Sequence, residues 1–387
     1  MSTYDEYQQV FALSCASNVD RKCSGRQIDL QKCIEKTLPP LVSKIGPEWS
    51  VTWGPVVYQA PGSSGPDNTW YVANNKSMQF ADGCYNTYVV AIAGTANTSG
   101  YDWNVEDLGV GQVVDFASWV NGGITNAPQP ATGPFTGKAF AAMGTVSTVV
   151  TLLTTNTPSG AYGTGTLYNY LTTLPQAKST RIVFTGHSLG GALCPTMALA
   201  FLQAGQLSVP SVLAYPTAGP TPGNADFATL FQSHFPKMPA DGSNHQVWNC
   251  NVVNSSDVVP YAWYNLNELF SIYGTLGPVC HRLVKELVDA LTLALNPDNL
   301  AYSSIQCSPF PSSSAPISPP NWSEYFNVVS TQHINEYFHQ FDIPFLDSSC
   351  PCSGSERVGD DEPSLHPILV VLLIKQAEFK VSAGLVF

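Results

Sequence analysis

Charge is what this sequence of 387 residues has least of. Lysine and arginine number 16, aspartate and glutamate 28, and together they make up 11% of the chain, against roughly 25% in an average soluble domain. So few basic residues, under a net charge of −12, leave nothing to neutralise a phosphate backbone, which excludes nucleic acid as a partner. The same balance disfavours electrostatic docking on an anionic membrane, so any lipid contact has to be hydrophobic.

Long apolar runs are also lacking. Ile368–Ile374 is seven residues, where a spanning helix needs about 20, and no transmembrane segment is expected. Lys375, Glu378 and Lys380 spoil the hydrophobic tail that a lipid-anchor signal requires. The opening MSTYDEYQQV has neither the basic start nor the apolar core of a secretory leader. With surface polarity resting on uncharged residues, the expectation is a secreted protein whose leader is absent from this chain. None of the ten cysteines forms a zinc-type pair with a second pair behind it, so neither metal nor cofactor is expected. Cys15, Cys23 and Cys33 cluster near one end and Cys350 and Cys352 near the other, which reads as disulfides and an oxidising compartment. Glycosylation sequons start at Asn75, Asn97, Asn254 and Asn321.

What is present is a large apolar fraction, 44%, arranged as strands alternating with helices. Residues 4–38 read as two short helices joined by a Cys-bearing loop, and 53–74 as a hairpin broken at Pro61-Gly62-Ser63-Ser64-Gly65. Tyr88–Ile92, Arg181–Phe184, Val212–Tyr215 and Val247–Val253 are apolar runs of buried-strand type. Phe140, Met143, Val146, Val150 and Leu153 recur at helical spacing, as do Leu283, Val284, Leu287, Val288, Leu291 and Leu295. The second set reads as a helix packed on the body in preference to a mobile lid. The alternation predicts an α/β fold with a mainly parallel central sheet and helices on both faces. A single domain is expected over 1–346, with a helical Cys-bearing extension (1–50) and an inserted helical segment (264–312). Residues 347–387 are expected to form a poorly ordered tail.

The chemistry concentrates at Gly186-His187-Ser188-Leu189-Gly190. An apolar strand runs straight into it and a helix opens directly behind, the strand–turn–helix context that lifts a nucleophilic serine above a sheet edge. A serine hydroxyl needs a base to take its proton and an acid to orient that base, in the order Ser, Asp or Glu, His. Asp257 leaves an apolar strand in Asn254-Ser255-Ser256-Asp257-Val258-Val259-Pro260; Asp226, Asp241 and Asp289 leave no strand as cleanly. Among the histidines, His234 and His245 precede Asp257, His187 sits within the turn, His281 is in the insertion and His366 in the tail. His333 is therefore the expected base, with His339 and then His281 as alternatives. The oxyanion of acyl transfer needs two donors; the N–H of Leu189 supplies one by position, and that of Thr95, after Tyr88–Ala93 and Gly94, is the candidate for the other.

These residues resemble the class 3, fungal-type lipases of the α/β-hydrolase superfamily. Val90–Thr95 with Asp102-Trp103 and Glu106-Asp107-Leu108 is similar to that family's oxyanion strand and the stretch after it. Gly186–Leu193 is similar to its nucleophile block, Pro216–Asn224 with Phe227-Ala228 to its glycine-proline turn, and Asn254–Pro260 to its acid block. The resemblance spans about residues 50–345. It implies a Ser188–Asp257–His333 triad with Thr95 and Leu189 as oxyanion donors, hydrolysing carboxylic esters, usually of lipids, often under a lid. Two departures stand out: Thr221 replaces the usual arginine, and Pro195 is expected to interrupt the helix behind the serine. Loop 120–137 is the first candidate for the lid. The expected partner is an ester substrate, met at a lipid–water interface where it is a lipid, and the chain is expected to be a monomer. A non-lipid esterase, and a silent hydrolase-fold binding protein, are the alternatives.

Overall fold

The computed structural model describes residues 4–96, 109–175, 177–207, 211–239, 242–295, 300–314, 318–344, 350 and 356–357. A seven-stranded mixed sheet is its frame. The strands are β1 (Ser50–Tyr58), β2 (Asn68–Phe80), β3 (Gly83–Ile92), β4 (Thr180–His187), β5 (Ser211–Thr217), β6 (Asn251–Asn254) and β7 (Cys307–Phe310). They lie side by side in chain order. β1 to β3 form an antiparallel meander, and β3 to β7 are all parallel.

Side chains alternate between two cores, as a pleated strand requires. Val89 and Ala91 face one core, which contains α1 (Glu6–Ala16) and α2 (Gln27–Ile45). Val90, Ile92, Ile182 and Phe184 face the other, filled by α3 (Met143–Thr154) and α4 (Leu189–Gln203). Both faces are covered, which is why these strands read as continuous apolar runs. The α/β-hydrolase architecture expected from the sequence is the one observed.

The structure departs from the sequence expectations in detail. Phe140 does not open the helix; it begins a short strand, Phe140–Ala142, paired with Val113–Asp115, and α3 starts at Met143. The run Val247–Val253 is split, because Asn249 adopts φ 65° and its side chain bonds the Ala214 N–H and the Pro236 carbonyl. Pro195 does not interrupt α4, which continues to Gln203. The proline removes the bond that would reach back to the Gly191 carbonyl, yet burial of residues 189–201 holds the helix. The Gly191 carbonyl instead packs on Gly219, where an added Cβ would lie 2.4 Å from that oxygen.

The segment 264–312 contributes α5 (Pro278–Leu295) and, at its end, edge strand β7. α5 buries Val284, Leu287, Val288 and Leu291 against Tyr325 and Val329 of α6 (Trp322–Ser330), with Val258 in the same cluster. It is a packed helix, and it buttresses the segment that leads to His333. Loop 120–137 is fastened to its surroundings by the Trp119 indole on the Asn126 carbonyl, by the Ala131 N–H on Val113, and by Phe135 edge-on to Phe140.

Cys23 is bridged to Cys350, and Cys33 is also disulfide-bonded. Cys15, Cys84, Cys194, Cys250, Cys280 and Cys307 are free thiols. Cys352 and most of 347–387, including the apolar run at 368–374, lie outside the described residues. Of the sequons, Asn75 and Asn254 are buried and have no room for a glycan, which corrects the expectation there; Asn97 lies outside the described residues, and Asn321 is exposed. Among the described residues no helix is long and apolar enough to cross a membrane.

One buried acid makes stability pH-dependent. Asp20 sits just beyond α1, 1% exposed, accepting from the Thr69 hydroxyl. Burial raises its pKa from 3.8 to about 7. Between those values the native state holds a proton that the unfolded chain has released, so stability falls as pH rises through that window. Asp20→Asn is expected to melt about 3 °C above the parent at pH 8 and close to it at pH 4. Equal shifts at both pH values, read by thermal melts, would contradict this origin.

Candidate active site

The parallel strands end together at one edge of the sheet: Ile92 is in register with Gly186, and His187 with Thr217. Between the end of β4 at His187 and the start of α4 at Leu189, Ser188 alone makes the turn, at φ 59° and ψ −125°. That conformation costs a non-glycine residue about 1–3 kcal/mol and persists only where the surroundings impose it. Here Ser188 N–H donates to the Thr217 carbonyl at 3.1 Å, and the Ser188 carbonyl accepts from Gly191 N–H at 2.8 Å. The turn also demands bare backbone beside it: an added Cβ on Gly186 would lie 2.2 Å from the Gly190 carbonyl oxygen.

β6 leads into the second component. Asp257 follows its last residue, Asn254, in a tight turn closed by Asp257 N–H on the Asn254 carbonyl at 2.9 Å. The carboxylate is fully buried. Oδ1 accepts from Val259 N–H at 3.0 Å, and Oδ2 from the Tyr337 hydroxyl at 3.0 Å.

The third component arrives from α6, which passes into a π-helical turn, Thr331–Asn335, and then α7 (Glu336–Gln340). Such turns occur frequently at functional sites. His333 lies in it with Nδ1 2.8 Å from Asp257 Oδ2 and Nε2 2.8 Å from Ser188 Oγ. An ionised carboxylate only accepts, so Nδ1 carries the proton and the Nε2 lone pair faces the serine hydroxyl.

Neighbouring residues hold this line in place. The Tyr337 hydroxyl, while donating to Asp257, accepts from Asn254 N–H at 2.9 Å. The Asn254 side-chain amide donates to the carbonyl and Oε1 of Gln332, both at 2.8 Å, fixing the residue before His333. His187 spans the remaining gap, with Nε2 2.9 Å from the His333 carbonyl and Nδ1 3.0 Å from Thr217 Oγ1. Burial, reinforced by the charge that His333 carries when it is protonated, pushes the His187 pKa well below its ordinary value. The ring is therefore neutral: Nε2–H donates to the carbonyl, and Nδ1 accepts from the threonine. Both nitrogens are engaged, so His187 is no base for its neighbour.

On the opposite side, Ala93–Ala96 follows β3. An added Cβ on Gly94 would lie 3.1 Å from Ser188 Cβ, so this loop rests on the serine and half-buried Thr95 comes directly after the contact. Leu189 begins α4, in the first turn, where N–H groups lack a helical acceptor. The other histidines lie apart from this cluster: His281 and His339 are exposed, His234 bonds Gln203 and His245 bonds Gln340. Asp226 and Asp289 are exposed. Asp241, His366 and the Asp102–Leu108 block lie outside the described residues. Sequence reasoning did not assign roles to His187, Thr217, Asn254 and Gln332, although each lies within or beside a motif already singled out.

The family model for class 3 lipases matches residues 139–266. That span is about a third of the chain, and over it the sequence is similar to class 3 lipases. The matched span contains Ser188, Leu189 and Asp257 but neither Thr95 nor His333. Among solved structures, the M37 lipase superposes with a TM-score of 0.66 at 24% identity, covering 97% of this chain and all of that one. A mono- and diacylglycerol lipase from Aspergillus oryzae gives a TM-score of 0.36 at 16% identity, over 68% of this chain and 75% of its own. No curated protein matches the sequence.

Proposed function

We propose that this protein is a lipase-type carboxylic ester hydrolase that works through an acyl-enzyme on Ser188. The observation that carries the reading is the unbroken line of two 2.8 Å contacts, from Asp257 through His333 to Ser188. Ser188 Oγ attacks the ester carbonyl as His333 Nε2 takes its proton. Asp257 holds the imidazole in the Nδ1–H tautomer and balances the positive charge that forms. The N–H groups of Thr95 and Leu189 bind the oxyanion, each worth about 3 kcal/mol of barrier. His333 then protonates the departing alkoxide, and water repeats the sequence to release the acid. No metal or cofactor takes part in these steps.

Triacylglycerol is the proposed substrate. The likeness of residues 139–266 to class 3 lipases supports a lipid ester, and the scarcity of basic residues favours an apolar ligand over an anionic one. The enzyme is proposed to be secreted and monomeric; the Cys23–Cys350 bridge supports an oxidising compartment. Hydrolysis of p-nitrophenyl esters from acetyl to palmitoyl tests the reading. Rates rising with chain length support a lipase, and activity confined to short acyl chains would replace it with a non-lipid esterase. No activity on any chain, from folded protein, would leave a silent binding protein.

A further inference from the structure

We propose that Asn18, in the amino-terminal segment, is a positioning residue that holds the Thr95 N–H over Ser188. The inference rests on the reading of Thr95 as an oxyanion donor. It concerns the part of the chain that lies outside the matched family span.

The β3 ladder stops one residue short of the loop that matters. Ala93 N–H still donates to the Thr69 carbonyl of β2, at 2.9 Å. Gly94 N–H lies beyond the ladder, and its acceptor is Asn18 Oδ1 at 2.9 Å, from 76 residues away in sequence. The side-chain amide of Asn18 thus stands where the next strand carbonyl would be. Its orientation is dictated by its other end, because Nδ2 donates to the Ser14 carbonyl in the last turn of α1 at 3.3 Å. A carbonyl oxygen only accepts and an N–H only donates, so the amide has to present its oxygen to Gly94.

Gly94 is wedged between Asn18 and the nucleophile. An added Cβ there would lie 2.8 Å from the His187 carbonyl oxygen, 3.1 Å from Ser188 Cβ and 3.5 Å from Asn18 Oδ1. Any displacement of Gly94 is passed to the next residue, Thr95, whose N–H has to meet an oxyanion at hydrogen-bond distance. The anchor itself is rigid. α1 packs across β2 to β5, Phe11 stacks on Phe341 at 4.0 Å and meets His187 edge-on at 6.1 Å, and Gln8 Nε2 donates to the Phe341 carbonyl at 2.7 Å. At its start Asp5 and Gln8 form a reciprocal cap. Five residues past Asn18, Cys23 is tied to Cys350.

Asn18→Leu keeps the shape and removes the acceptor. Its kcat on a p-nitrophenyl ester is expected to fall about 10- to 100-fold while KM stays within about threefold, because only the transition state needs the oxyanion donors. The inhibition constant of an alkylboronic acid, whose tetrahedral adduct places an oxygen where the oxyanion forms, is expected to rise by the same factor. Thermal stability stays near the parent's. A folded variant with kcat within threefold of the parent, or one whose stability falls while kcat and boronic acid affinity hold, overturns the proposal. Should the leucine variant not fold, Asn18→Ala is read by the same criteria. Failure of the underlying reading is separately visible, since the parent itself would then not be inhibited by the boronic acid.

Discussion

Ser188→Ala is expected to hydrolyse p-nitrophenyl esters at least about 10⁴-fold more slowly than the parent, with unchanged folding. The loss is this large because the His333 Nε2 lone pair lies 2.8 Å from Ser188 Oγ, the hydroxyl it has to deprotonate. Residual rate would come from the oxyanion donors and substrate binding alone. Folding should be spared, since the constraints on the turn are backbone bonds, Ser188 N–H to Thr217 and Gly191 N–H to Ser188, which alanine keeps. Side-by-side initial rates and thermal melts check both halves of the statement. An alanine variant as active as the parent would remove Ser188 from the mechanism.

Asp257→Asn should be nearly as damaging, at about 10³- to 10⁴-fold in kcat. Every partner of this carboxylate is a donor: Val259 N–H on Oδ1, and His333 Nδ1–H and the Tyr337 hydroxyl on Oδ2. An asparagine has one acceptor and one donor end. With nitrogen toward His333, its N–H donates to Nδ1 and moves the imidazole proton to Nε2, so the base can no longer accept from Ser188. With nitrogen toward Val259, two N–H groups confront each other in a fully buried turn, at a cost of about 1–3 kcal/mol. Steady-state kinetics on purified variant, with KM little changed, is the expected pattern, and activity within tenfold of the parent would show that the carboxylate does not set the tautomer.

Much of this arrangement is legible in the sequence, and the physical reason is locality. The turn at Ser188 is signalled by an apolar strand, a glycine on either side and a helix start, all within a dozen residues. Asp257 is signalled in the same way by the strand it leaves. His333 has no such local mark: it is reached only by chain order and elimination, because helices and the edge strand β7 intervene after Asp257. The misreadings have one cause as well. At Phe140, Asn249 and Pro195, local periodicity or propensity was overridden by a tertiary partner: a paired strand, a pair of backbone groups bonded by a side chain, and a helix buried through residues 189–201. Asn18 shows the limit most clearly. An asparagine just past a helix is commonplace, and nothing nearby reports that its amide serves a glycine 76 residues further on. The same holds for Asn254, whose sequon reads as a surface site but whose amide is buried against Gln332.

The central claim is that Ser188 is the nucleophile, made reactive by His333. The most direct measurement is the intact mass of parent and Ser188→Ala after exposure to a p-nitrophenyl alkylphosphonate, followed by peptide mapping. The account predicts one phosphonyl adduct on the parent, on the peptide that contains Ser188, in step with loss of hydrolysis, and none on the variant. An adduct on another residue that tracks inactivation, or equal labelling of the variant, would contradict it.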